Sequence, residues 1–251
     1  YKSAGVLPLV GQWNTHTYSG SNADRVHMAF LAHQDDMPLW MSEVGAGGNG
    51  IGGNLSLAQK LFDDMRYLQP ETCIDWQYME EANDQWCTIR GSFKDQTYAK
   101  VKNFYVRQQC SRFIKYGYDI VASLNDQSLA AVNEARDTLV LVLLNEGGLT
   151  YHDIDLSGFA GLPAASAVKA YRTSAEENLK SVRDFKINDS TLFVKLPAQS
   201  ITTLVVPAGG VTTDPQIVDG EEYIIVPRHN LTCALTASAD GKVTIEGNTY
   251  G

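Results

Sequence analysis

Over residues 1–115 the apolar positions follow two periods in turn. Residues 6–18, VLPLVGQWNTHTY, are apolar for most of their length and turn polar at the end, as a buried strand does. Residues 22–36, NADRVHMAFLAHQDD, bring Val26, Phe30 and His33 together at helical spacing, with Met28, Ala29 and Leu31 nearby. Asn22 is placed to cap that helix, and Asp24 to sit in its first turn. Residues 38–42 form an apolar strand, closed by Glu43 and the glycine-rich stretch GAGGNGIGG. Residues 55–68 are again amphipathic, with Leu57, Leu61 and Met65 in register. Residues 72–79, TCIDWQYM, read as a short strand. Residues 96–115 read as a third helix, ended by a glycine cap at Gly117. Strand and helix thus alternate three times, the pattern of parallel βα units. Three units are too few to close an eight-stranded barrel.

After Gly117 the period changes. Short β-rich runs recur: YDIVAS, LAAVNE, TLVLVLLN, YHDIDL, VKAYRT, LKSVRDF, TLFVKL and ITTLVV. Turn residues separate most of them, as at Asn125-Asp126, Gly147-Gly148 and Asn188-Asp189, which is the signature of a β-sandwich. Residues 208–215 read as a linker. Residues 216–251 carry further strand runs, too few for an independent domain. The expected class is therefore α/β plus all-β. Residues 1–115 form part of a (β/α)8 barrel, residues 116–207 a β-sandwich, and residues 216–251 the start of a further β module.

Composition narrows the chemistry. The 251 residues carry a net charge of −9, which argues against nucleic acid, whose phosphates need a basic surface. No apolar run reaches the roughly 20 residues of a membrane span. Twelve tyrosines and four tryptophans suit a sugar-binding cleft and a core equally well. The four cysteines, at 73, 87, 110 and 233, have no metal-binding spacing. They read as buried thiols or as including a Cys73–Cys87 disulfide. Sequons begin at Asn54, Asn188 and Asn230. A chain that opens on Tyr1, with no signal peptide visible, reads as a fragment or a processed product.

In a βα barrel the chemistry sits at the carboxyl ends of the strands. The first end here carries Asn14, His16 and Tyr18, of which His16 and Tyr18 share a face. The second carries Glu43. The third carries Trp76 and Tyr78 on one face, followed by Glu80 and Glu81. A carboxylate, an imidazole, a phenol and an indole would meet on one rim. A phenol donating to a carboxylate keeps it ionised, and an indole supplies a floor for a sugar ring. Taken singly, each has a plainer role: Glu43 as a helix N-terminal acid, His16 as a structural histidine, Trp76 as core, and Glu80 and Glu81 as solvated loop.

The motifs NTHTYSG, LWMSEVG and IDWQYMEE, in this order, resemble the last three barrel strands of glycoside hydrolase family 30. VRQQCSRFIKYGYDIVAS is similar to that family's passage from its last barrel helix into a side β-sandwich, and LPAQSITTLVV to the sandwich's last strand. The resemblance covers residues 1 to about 207. It implies a retaining β-glycosidase, closest to enzymes of β-1,6-galactan or related β-1,6-linked glycans. It implies Glu43 as the nucleophile and His16, Tyr18 and Trp76 as substrate-binding residues, with no cofactor or metal; Tyr78, on the strand face read for Trp76, joins them as a substrate-binding residue. The family's acid/base glutamate lies on an earlier strand, and none of Glu43, Glu71, Glu80 and Glu81 fits that role. Its partner in catalysis is then an N-terminal half of the barrel, its substrate an oligo- or polysaccharide, and its location extracellular. The tail from Asp219 resembles the opening of a carbohydrate-binding β-trefoil. Two alternatives stand beside this: a non-catalytic carbohydrate-binding or scaffold protein that retains the fold, and a hydrolase of another barrel family with the nucleophile in the same place.

Overall fold

The computed structural model describes residues 3–45, 48, 50–121, 123, 125–159, 161 and 164–207, and the backbone of two strands at 233–237 and 243–247. The first strand starts later than its apolar pattern suggests. Leu7–Leu9 form a 3-10 turn around Pro8, whose fixed φ and missing N–H suit a turn better than a paired strand. Strand β1 is Trp13–His16. Helix α1, Asn22–Gln34, is capped by Ser21 rather than Asn22: Ser21 and Asp24 bond each other's backbone in a capping box. Its inward face is Arg25, Met28, Ala29 and Ala32, while Phe30 and His33 stand outside. Strand β2, Leu39–Val44, extends through Glu43. Helix α2, Gly50–Asp63, starts before its apolar stripe and runs into a π-helical turn, Asp64–Leu68. Strand β3, Thr72–Asp75, completes a parallel sheet of order β1-β2-β3.

The single strand expected over 72–79 is interrupted at Trp76. Residues beyond it belong to a separate small sheet of β4 (Met79–Glu81), β5 (Ile89–Ser92) and β6 (Thr97–Lys100). The third helix, α3, is accordingly Lys102–Ser111. Gln96 takes a positive φ of 53° in the β5–β6 turn, and the β-prone Thr97 and Tyr98 pair with β5 instead of opening the helix. Helix α3 ends at Arg112, and Gly117, with φ of 83°, serves the later turn into β7.

Strands β7 (Asp119–Val121), β8 (Ser128–Val132), β9 (Thr138–Asn145), β10 (Thr150–Asp155), β11 (Lys169–Thr173), β12 (Lys180–Val182), β13 (Phe185–Asn188), β14 (Thr191–Leu196) and β15 (Ser200–Pro207) make two antiparallel sheets. Their orders are β12-β11-β15-β9-β8-β7 and β10-β14-β13. The run LKSVRDF divides between them, because the chain changes sheets between β12 and β13. Strand β9 explains its unbroken apolar run: it is buried on both faces. Leu139, Leu141 and Leu143 meet Leu192, Val194 and Leu196 of the smaller sheet. Val140, Val142 and Leu144 meet Leu55, Phe62 and Val106 of α2 and α3. The larger sheet is thus the layer that joins the helices to the smaller sheet. Buried polar groups stitch the same joint: Gln109 of α3 donates to Thr173 and accepts from Thr203.

Cys73, Cys87 and Cys110 are free thiols, so Cys73 and Cys87 form no disulfide. Burial pushes the Cys73 and Cys110 thiols up to about 12. Asn54 is buried and donates to Asn103, which removes the first sequon from the surface, whereas Asn188 is exposed. The linker at 208–215 and the Asn230 sequon lie outside the described residues. Of residues 216–251, strands β16 (Cys233–Ala237) and β17 (Val243–Gly247) form an antiparallel pair. Among the described residues no helix is long and apolar enough to cross a membrane.

Candidate active site

Glu43 reaches its position through a break in strand alternation. Leu39 and Met41 of β2 are buried against α1 and the turn after α2. Unbroken alternation would put Glu43 on that same apolar face. Instead Thr15 pairs with Met41 and His16 with Glu43, and on the other side Cys73 pairs with Met41 and Asp75 with Val44. Strand β2 therefore carries one extra residue relative to both neighbours. A bulge of this kind re-aims the residues after it. Val44 takes the buried position, and Glu43 keeps a side chain 30% exposed.

Two groups from β1 and the segment after it converge on this carboxylate. Tyr18 Oη donates to Glu43 Oε1 at 2.9 Å. His16 Nδ1 lies 3.8 Å from the same oxygen. The two rings stand edge to face, 6.2 Å apart. Burial, then the bond and the charge of Glu43, raise the Tyr18 phenol above its ordinary value. It stays protonated and remains a donor.

The loop that carries these residues is held from behind. Thr17, between His16 and Tyr18, is buried and donates to Asp64 Oδ2 at 2.9 Å. Asp64 is fully buried, and Arg25 Nε donates to its Oδ1 at 2.9 Å. Lys60 reaches the carbonyls of Thr17 and Tyr18. Burial raises the Asp64 carboxyl, while the Arg25 and Thr17 bonds pull it down. None of Thr17, Arg25, Lys60 and Asp64 was singled out by sequence, although a signal existed. Asp64 continues the Leu57–Leu61 stripe of α2 toward Leu68, and Arg25 falls on the inward stripe of α1. Charges on two apolar stripes point to a buried pair.

Trp76 is attached to the end of β2 through its backbone. Its N–H donates to the Val44 carbonyl at 2.9 Å. A Cβ at Gly45 would lie 2.5 Å from the Trp76 carbonyl oxygen, so only glycine fits there. The Trp76–Gln77 peptide is cis, and the Trp76 side chain is 47% exposed. Tyr78 does not share a strand face with Trp76, because β3 ends at Asp75. It is exposed beside the small sheet, and its carbonyl accepts from Ile89. Among the described residues no hydrogen bond or ring contact joins the Tyr78 side chain to Glu43. Glu80 and Glu81 lie on β4, occupied by Asn83 and the Phe93 N–H. No second carboxylate contacts Glu43, His16 or Tyr18 among the described residues.

The arrangement is a single half-buried carboxylate at a strand end, one of its oxygens held by a phenol, with an imidazole and an open indole on neighbouring strand ends. No family model matches the chain. It is 25% identical over 202 residues to an endo-beta-1,6-galactanase from Hypocrea rufa, covering 79% of this chain and 41% of that one. The structure is similar to a xylanase of glycoside hydrolase family 30 subfamily 8 from Clostridium acetobutylicum, with a TM-score of 0.65, 22% identity, and coverage of 80% of this chain and 49% of that one. It is also similar to a family 30 endoxylanase from Clostridium papyrosolvens C71, with a TM-score of 0.63, 23% identity, and coverage of 82% and 51%. The chain thus spans about half the length of the solved structures it matches, and less of the curated relative. These relatives bear out the resemblance to glycoside hydrolase family 30.

Proposed function

We propose that this chain, a relative of the family 30 glycoside hydrolases, carries the nucleophile half of a retaining β-glycosidase acting on a β-1,6-linked galactan. The observation that carries this is the placement of Glu43: the β2 bulge turns it out of the core, and Tyr18 fixes its Oε1. Its Oε2 is then the atom for attack on the anomeric carbon. A C–O bond forms to Glu43 as the glycosidic C–O bond breaks, and a second carboxylic acid protonates the leaving oxygen. Water later attacks the glycosyl-enzyme, with that second group as base, and Glu43 leaves as carboxylate. His16 and Tyr18 orient the nucleophile, Trp76 floors the sugar ring, and Tyr78 stands farther out along the substrate.

In this proposal β1, β2 and β3 are strands six to eight of a (β/α)8 barrel, and the two antiparallel sheets of residues 116–207 are its side β-sandwich. The outer edges of β1 and β3 carry no further strand among the described residues, as expected of an arc of a barrel. The acid/base residue then comes from barrel strands outside this chain, in a secreted protein, and β16–β17 belong to a further β module. The galactanase relative favours β-1,6-galactan over other glycans.

The alternative, a carbohydrate-binding protein without turnover, applies to a protein that lacks the acid/base residue altogether. Incubating the full-length protein with β-1,6-galactan and following the anomeric protons of new reducing ends by NMR separates the two. Products that first appear in the β configuration, and fail to appear with Glu43→Gln, support the proposal. Binding with no products from wild type, or products first seen as the α anomer, would contradict it.

A further inference from the structure

The smaller antiparallel sheet has an outward face that the catalytic reading leaves unused. Strand β14 alternates cleanly, with Leu192, Val194 and Leu196 in the core and Phe193 and Lys195 outside. Strand β10 points Tyr151 and Asp153 the same way, and β13 adds Lys186. Two aromatic rings stand among the charged groups on this face. Tyr151 is 66% exposed and Phe193 38%, and together they line a groove of about 460 Å3.

The register sets their spacing. Tyr151 pairs with Lys195 and Asp153 with Phe193, while Lys186 pairs with Phe193 from the other side. The two rings are therefore diagonal neighbours on adjacent strands, roughly 7–8 Å apart at the backbone. Each has a charged side chain directly beside it. This alternation of aromatic face and charged group suits a narrow chain of pyranose rings, whose C–H faces stack on aromatics while their hydroxyls bond to the flanking groups. A protein–protein interface would instead be depleted in lysine and aspartate at its centre, where this groove has Lys186, Lys195 and Asp153.

The charges choose the kind of chain. Among the described residues neither Lys186, Lys195 nor Asp153 is in an ion pair, and Arg183 is exposed at the groove's edge. The groove's other acid, Asp184, is held by Arg172 at 2.5 Å. Asp155 lies outward on β10 beyond the groove; the free charge lining the groove itself, Lys186, Lys195 and Arg183 against Asp153, is thus positive, on a chain whose net charge is −9. The geometry points to a second, non-catalytic glycan-binding surface on the outer face of the β10-β14-β13 sheet, with Tyr151 and Phe193 as stacking platforms and Lys186 and Lys195 as partners for the carboxylates of an acidic polysaccharide.

Affinity electrophoresis tests this without using turnover. The full-length protein, in a Glu43→Gln background so that no polymer is cut, is run in native gels containing a glucuronic-acid-bearing polysaccharide or its carboxyl-reduced form. The acidic polymer should retard the protein, and the reduced form far less. The Y151A/F193A and K186A/K195A pairs should each weaken retardation about tenfold, while W76A should leave it in place. All four positions face solvent, and unchanged thermal melting will show that the variants fold. Absence of retardation, equal retardation by both polymers, or loss with W76A and retention with Y151A/F193A would each overturn the proposal. None of these outcomes bears on whether Glu43 is the nucleophile.

Discussion

Tyr18 Oη and Glu43 Oε1 are 2.9 Å apart, joined across two adjacent parallel strand ends. The phenol is a donor held protonated by its surroundings, so it fixes one carboxylate oxygen without competing for the proton. Replacing Tyr18 with Phe removes the bond and little else. A hydrogen bond to a charged group contributes about 1.5–3 kcal/mol, so kcat/KM on β-1,6-galactan should fall roughly ten- to a hundredfold. Steady-state kinetics on the full-length protein check this, with the melting temperature within a few degrees of wild type. An unchanged kcat/KM would mean that Tyr18 does not hold the reacting group.

Gly45 is the contact through which β2 and β3 meet. Any side chain there collides with the Trp76 carbonyl. Gly45→Ala should destabilise the protein by about 1–3 kcal/mol, as overpacking does, and displace Trp76 as well. Trp76→Ala should keep the fold and raise KM instead. Denaturant melts paired with kinetics separate the two variants: stability lost in the first, substrate affinity in the second.

The buried Asp64–Arg25 pair supports the segment that presents Tyr18. Removing one partner of such a pair costs about 3–5 kcal/mol, because the other charge is left buried and unpaired. Asp64→Ala should show that loss in urea denaturation. Thr17→Val keeps the pair and removes one bond, so it should cost about 1–3 kcal/mol. Equal stability of wild type and Asp64→Ala would mean that the network carries no structural load.

Much of this architecture was legible in the sequence where one period ran long enough. The all-β region was clear because β9 and β14 are, residue for residue, the runs TLVLVLLN and TLFVKL. The three parallel βα elements were legible in order and type. What failed were local events that no period records. Pro8 turned the start of an apolar run into a 3-10 turn. The break at Trp76 divided one expected strand into two sheets and removed the shared face assumed for Trp76 and Tyr78. The bulge in β2 was likewise invisible, yet without it Glu43 would face the core. The inward face of α1 was misjudged because Arg25, paired with Asp64, turned inward in place of Phe30 and His33.

Acid stability should depend on Glu177. Its carboxyl is lowered from 4.5 to about 2, first by its bond with Arg172 and further by Lys180. The folded chain therefore holds this group ionised where the unfolded chain would take up a proton. The resulting stabilisation is complete above about pH 4.5 and is lost as pH falls toward about 2. Glu177→Gln should lower stability at pH 7 and flatten its decline between those limits, as followed by denaturant unfolding across pH. A mutant whose acid decline parallels that of wild type would contradict this role.

The central claim is that Glu43 forms a bond to sugar. A carboxylate held on one oxygen and half open at a strand end is equipped for attack, and a 2-fluoro galactosyl donor with a good leaving group should trap the intermediate. The direct measurement is peptide mass mapping of the full-length protein after incubation with that reagent. The account predicts one added fluorogalactosyl group per molecule, on the peptide containing Glu43, and none on the Glu43→Gln variant. A label on any other residue, or a Glu43→Gln enzyme with wild-type turnover, would contradict it.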